Sequence, residues 1–199
     1  MKASTLASIT SISTLKTVKR ASAAALALTI AQSAAVFAVD IDGDQVYVGD
    51  TVIGQDDTVK GNVLHSDGRL TVQGTVEGNI DQSGDGRVDV DGGLVKGNIN
   101  ERDNGGVNVF NEGIVEGNID ERGDGQVSVK EESLVKGDIS ERGLKGVTVN
   151  NSDVEGNISE RGYGDVNLEN ECLVKGNVSE RNAGNVNDDG TCDVEGNIG

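Results

Sequence analysis

The chain of 199 residues has no tryptophan, no proline, two tyrosines, two phenylalanines, one histidine and two cysteines. So few aromatic residues exclude a large aromatic core. Those beyond residue 38, Tyr47, Phe110 and Tyr163, are too sparse for a sugar site built on ring stacking. Basic residues are scarce as well: 17 Lys+Arg stand against 34 Asp+Glu, a formal charge of −17. A phosphate-backbone partner needs clustered Lys and Arg, so nucleic acid is excluded. Acidity of this degree favours solubility, with cations acting by screening. The single His65 reads as a surface residue, and no grouping of Ser, Cys and His suggests a nucleophile with its base. Neither an enzymatic activity nor a cofactor is expected.

The acids are also unevenly placed. Residues 1–38 contain Lys2, Lys16, Lys19 and Arg20 and not one Asp or Glu, so the remainder carries 13 basic against 34 acidic residues, a net charge of −21. The basic start is followed by an apolar run, 21–31, and by Val36-Phe37-Ala38 with small residues at the −3 and −1 places. This reads as a secretory signal peptide over 1–38, which places the protein outside the cytosol, extracellular or periplasmic. No second apolar run of about 18 residues follows, so no membrane span is expected.

From residue 59 onward one pentapeptide recurs: Val59-Lys60-Gly61-Asn62-Val63, then copies at 76–80, 95–99, 115–119, 135–139, 154–158, 174–178 and 194–198. The glycines are spaced by 17, 19, 20, 20, 19, 20 and 20 residues. A period of this length is the mark of a solenoid. Within the pentapeptide the apolar residues alternate like a half-buried strand, with Val, Gly and Ile on one face. A second short strand follows eight residues after the Ile, as in Val107-Asn108-Val109, and a third side ends in Leu94, Ile114, Leu134 or Leu173. The expected fold is all-β: a parallel β-helix of about 20 residues per coil, with Gly, Asn and Asp at its corners. Residues 39–58, with Val46-Tyr47-Val48, form either a divergent first coil or a cap; 59–199 form the solenoid.

The second residue of the motif alternates without exception: Lys60, Glu77, Lys96, Glu116, Lys136, Glu155, Lys175, Glu195. Equivalent residues of successive coils lie about 4.8 Å apart in a parallel stack, so one repeat per coil sets each Lys between two Glu. Two repeats per coil would stack like on like. The ladder thus specifies register, because a slip of one repeat sets like charges together. Beside it runs a second column, Asn62, Asn79, Asn98, Asn118, Asp138, Asn157, Asn177 and Asn197, able to stack side-chain amides along the axis. The Glu-Arg pairs at 101–102, 121–122, 141–142, 160–161 and 180–181 read as a third, charge-balanced outer edge.

Cys172 and Cys192 share one repeat position, two before the motif Val, where earlier units carry Gly74, Gly93, Gly113, Ser133 and Ser152. Stacking would bring their Cα atoms to about 4.8 Å, within disulfide range, and secretion would favour the bond. Asp40-Ile41-Asp42-Gly43-Asp44 and the acids from Asp85 to Asp91 lack the full calcium-loop pattern and its terminal Glu, so no metal site is assigned.

The stretch from His65 to Ile80, with Val88-Asp89-Val90 and the motif at 95–99, resembles the repeat of the bactofilins, polymer-forming bacterial proteins, over about residues 46–199. The resemblance implies a right-handed, three-sided parallel β-helix that polymerises end to end without nucleotide. The leader, the longer coils and the acidic surface set this chain apart from that family. The sequence ends one residue after the eighth motif, so the expectation is an open strand edge there. Because the ladder runs from Lys60 to Glu195, a head-to-tail neighbour is expected to continue its alternation. The chain therefore reads as a secreted structural subunit that partners itself; the rival reading is a monomeric acidic solenoid acting as a binding module or adhesin.

Overall fold

The computed structural model describes residues 38–199. The leader read over 1–38 therefore lies, but for Ala38, outside the described residues. These contain no helix, only three parallel sheets of nine, eight and eight strands. The chain visits the sheets in strict rotation, giving coils of about 19 residues over about eight turns, a β-solenoid. The fourth coil is representative: Leu94–Val95 lies in the first sheet, Ile99–Glu101 in the second and Val107–Phe110 in the third. Each strand pairs in register with its counterparts one coil before and one after.

The pentapeptide is a corner and not a strand, which corrects the expectation above. Val95 ends a strand of the first sheet, Ile99 begins one of the second, and Lys96, Gly97 and Asn98 turn between them. Val95 and Ile99 both point inward and are fully buried, as are Val107 and Val109 on the third sheet. Gly97 sits against the backbone of Gly78 one coil below, and a Cβ there would collide with the Gly78 carbonyl. Glycine recurs in the motif because the corners stack backbone on backbone.

Residues 40–53 are a complete first coil. Asp40–Ile41, Gln45–Val48 and Thr51–Ile53 pair with the second coil, one strand in each sheet. Ile41 lies beside Val59 and Gln45 beside Val63. Asp42-Gly43-Asp44 is therefore an earlier, acidic copy of Lys60-Gly61-Asn62.

From the third coil on, coil length is set chiefly at the corner from the third sheet back to the first; the second coil is also one residue shorter at the corner from the second sheet to the third. Where two residues in a row are left-handed there, as at Asn111 and Glu112 (φ 54° and 62°) or Asn170 and Glu171 (both φ 57°), the glycine spacing is 20. Where one is, at Gly92 (φ 68°) or Asn151 (φ 47°), it is 19, except at the last corner, where Gly190 (φ 83°) stands alone within a spacing of 20. A left-handed residue other than glycine costs roughly 1–2 kcal/mol, so these glutamates are held there by the stack around them.

The core is a thin column of Val, Ile and Leu, each contributing about 1.5–3 kcal/mol by burial. It thins at the eighth coil: Asp188 pairs beside Leu168 and Asp193 beside Leu173, both exposed, and Val186 and Val194 are only half-buried.

Candidate functional site: columns along the solenoid

On the outer surface, the alternating charges meet across coils. Lys96 Nζ lies 2.8 Å from Glu77, Lys136 2.7 Å from Glu116 and Lys175 2.7 Å from Glu155. Each lysine reaches back to the preceding coil and faces the next glutamate at longer range. Hydrogen bonding to the glutamate of the preceding coil, then its charge, raises the lysines above their ordinary value. Glu116 and Glu155 are lowered by the same contacts. Lys60 does the same with the first coil, 3.0 Å from Asp40 and 3.4 Å from Asp42. The first described member of the column is therefore an acid, Asp42, one coil before Lys60, and the last is the acid Glu195. Continuation of the alternation by a head-to-tail neighbour, expected from Lys60 as the first rung, does not follow from this arrangement: direct stacking would bring Asp42 against Glu195.

The Asn column stacks side-chain amides at its later rungs, Asn177 donating to Asn157 at 3.2 Å and Asn197 to Asn177 at 3.3 Å, and it also binds the backbone. Each side-chain oxygen accepts the backbone N–H of its counterpart one coil on: Asn62 Oδ1 from Asn79, Asn79 from Asn98 and Asn98 from Asn118, all at 2.8 Å. Asp138 serves in place of Asn as an acceptor, its Oδ1 taking the Asn157 backbone N–H at 2.7 Å and the Asn157 side-chain amide at 2.9 Å. Asp44 begins the series, accepting the Asn62 N–H at 2.8 Å. The acids at 40–44 thus belong to the two ladders. Those at 85–91 are likewise engaged: Asp85 accepts from Asn104, Asp91 from Asn111, and Asp89 is enclosed by Arg69 and Arg87 at 3.4 and 3.0 Å.

The Glu-Arg pairs are not an outer edge. Glu101, Glu121, Glu141 and Glu160 are fully buried inside the solenoid, and only the arginines that follow them face solvent. The cause is strand parity: with Ile99 inward, Asn100 points out and Glu101 in. In-register pairing stacks Glu101, Glu121, Glu141, Glu160 and Glu180 into one interior column. His65 and Gln82 continue it into the second and third coils, and both are buried, so His65 is not the surface residue expected.

The corner after each glutamate supplies its partners. Glu121 Oε1 accepts the N–H groups of Gly123 at 2.9 Å and Gly125 at 3.1 Å. Glu101 takes those of Asp103 and Gly105, Glu141 that of Gly143 and Glu160 that of Gly162. The second oxygen, Oε2, of all four has no partner. Burial first, then the adjoining carboxyl of Glu101 and further that of Glu141, pushes Glu121 up to about 9, against the lowering effect of the two glycine N–H groups. Burial, then the adjoining carboxyls of Glu141 and Glu180, pushes Glu160 up to about 8. Two backbone donors cannot offset the loss of water around a carboxylate beside other carboxyls.

With the glutamates inside, Arg102, Arg122, Arg142, Arg161 and Arg181 form an exposed cationic strip. Asp81 and Asp120 answer its first members. Beyond them the neighbouring outward residues are Ser140, Ser159 and Ser179, and Arg161 and Arg181 form no ion pair among the described residues.

Cys172 and Cys192 are joined in a disulfide with Cα atoms 4.4 Å apart. They close a column of small groups: Ser133 Oγ accepts the Gly113 N–H and Ser152 Oγ the Ser133 N–H, both at 3.1 Å. The bond ties the seventh coil to the turn above it, where the core thins. No helix among the described residues is long and apolar enough to cross a membrane.

Comparison with protein-family models, with curated proteins and with solved structures returns no match for this chain.

Proposed function

We propose that the protein is a secreted structural subunit that self-assembles along its axis into an extracellular or periplasmic fibre. The observation that carries this reading is that three features pass from coil to coil with one register: backbone pairing, the Asn ladder and the charge ladder. Such a surface treats each coil as the template for the next. The leader and the disulfide support an oxidising compartment, and the likeness of the repeat to the bactofilins supports polymerisation. Asp42 and Glu195 bear on the joint. End-to-end contact brings like charges together on subunits of net charge −21, so acid or salt should speed growth.

Electron microscopy of the purified full chain, with and without added salt, tests the reading. Filaments whose growth accelerates with salt are expected; a protein that stays monomeric by light scattering at high concentration and high salt overturns it. The strip of Arg142, Arg161 and Arg181 flanked by serines favours a second reading, a solenoid that binds an anionic partner along one edge.

A further inference from the structure

The interior carboxyl column is unlike the other columns because it places groups that are normally charged where nothing can neutralise them. Glu101, Glu121, Glu141 and Glu160 show no accessible surface, and the unpartnered Oε2 of each lies in the core. No cationic side chain enters. The arginine after each glutamate turns outward by strand parity, and the lysines of the charge ladder lie on the outside of another corner. From the first and third sheets, Val95, Val107, Val109, Val115, Val127 and Val129 face the interior, all aliphatic. The one buried acid of the third sheet, Asp89, points outward to Arg69 and Arg87. Within the second sheet the neutral Gln82 and the ring of His65 extend the column, with Tyr47 of the first coil beyond, and Glu180 follows Glu160 at the other end. Adjacent carboxyls are one strand spacing apart, about 4.8 Å between backbones. Two facing acceptors in an apolar interior are reconciled only by a proton between them.

We propose that the Glu101–Glu180 column is a proton-binding site: a ladder of carboxyl groups that takes protons from solvent as the solenoid closes and holds them between successive coils. No bond other than O–H is made; each proton taken up converts one carboxylate to a carboxylic acid, whose O–H donates to the next carboxyl. The inference concerns a single chain and does not rest on polymerisation.

The direction of the pH effect follows. An unfolded glutamate releases its proton near 4.5, whereas Glu121 and Glu160 in the folded chain hold theirs to about 9 and about 8. Below 4.5 both states are protonated and the stabilisation by the column is complete. As the pH rises from there to about 9, folding requires proton uptake, and stability is lost by up to about tenfold in the unfolding constant per pH unit for each linked proton. This is opposite to the lysine-paired glutamates on the surface, Glu116 and Glu155. Their lowered values make their contribution complete above 4.5 and lost in stronger acid.

The experiment is urea unfolding of the full chain, followed by circular dichroism from pH 5 to pH 9.5, together with infrared spectroscopy of the native protein at pH 7. Expected are a midpoint that falls steadily as the pH rises and a carbonyl band of protonated carboxylic acid. Glu101→Gln, Glu121→Gln, Glu141→Gln and Glu160→Gln combined should flatten the pH dependence and remove the band, the amide being a side chain the column already holds at Gln82. A wild-type midpoint that stays level or rises with pH, or a native spectrum at pH 7 without the band, overturns the proposal. The infrared measurement uses the wild-type chain, so it decides even where the quadruple variant does not fold.

Discussion

The second and third coils differ from the fourth to eighth at one column, and in the second coil the corner beside that column differs as well. Between Val63–Ser66 and Arg69–Val72 the second coil turns through Asp67 and Gly68 alone, and the column holds His65, whose ring reaches the Gly49 carbonyl at 2.9 Å. In the fourth coil the corner runs from 102 to 106 and folds its own N–H groups over Glu101. The longer corner arrives with the third coil, where Gln82 stands as far before Val88 as Glu101 stands before Val107, and glutamate enters the column one coil later. A carboxyl can be buried where the backbone bends to donate to it, and a tight two-residue turn cannot bend in that way. The N-terminal coils carry a column that gains no negative charge below the range of Tyr47, whereas the later coils carry one that titrates.

A series of substitutions, and one change of pH, would break or sharpen this contrast. The largest effect is expected at the long corner: in Gly125→Val the first added atom already collides with the Gly105 carbonyl of the coil below. Loss of more than about 4 kcal/mol, or no folding at all, should appear in urea titrations. The open first coil has nothing near Gly43 or Gly49, so alanine there should cost only the left-handed backbone, about 1–2 kcal/mol. Next is the disulfide: Cys192→Ser opens a loop of 20 residues, for which about 3 kcal/mol is expected. Amide exchange should rise first in the eighth coil. If exchange rises equally in the second coil, the two ends are not separable in the way described.

Glu121→Ala should cost about 1–3 kcal/mol at pH 5, because the Gly123 and Gly125 N–H groups lose their acceptor. Glu121→Gln should cost less at pH 5 and become the more stable protein at pH 9. Limited proteolysis at pH 9 should then cut wild-type coils four to eight before coils two and three; cutting in the opposite order would contradict the regional contrast. The smallest effect belongs to the surface: Lys136→Glu sets three acids in a row with Glu116 and Glu155. A drop in thermal midpoint is expected at low ionic strength that shrinks as salt is added. A salt-independent drop would show that Lys136 acts by packing of its stem.

Much of the architecture was legible because a stacked fold writes its contacts into one period. The alternation from Lys60 to Glu195 required equivalent residues to touch, and the cysteines at one repeat position required a short Cα separation. The corner nature of the pentapeptide was not legible, because Val-x-Gly-x-Ile satisfies strand alternation as well as it satisfies a bend between two inward residues. Glu101 could have been placed by counting two residues on from Ile99. The counter-argument was chemical: a Glu followed by an Arg is ordinarily a solvated pair.

By itself, the sequence determined the period, the parallel one-repeat coil, the registration of charges and the pairing of Cys172 with Cys192, since each depends only on which residues recur at a fixed interval. The tertiary structure alone decided which side of the wall each column occupies. It placed Asp42 as the first rung of the ladder and put the glutamates inside. Closure of the coil creates both the corner N–H groups that receive a carboxyl and the apolar interior that keeps it protonated.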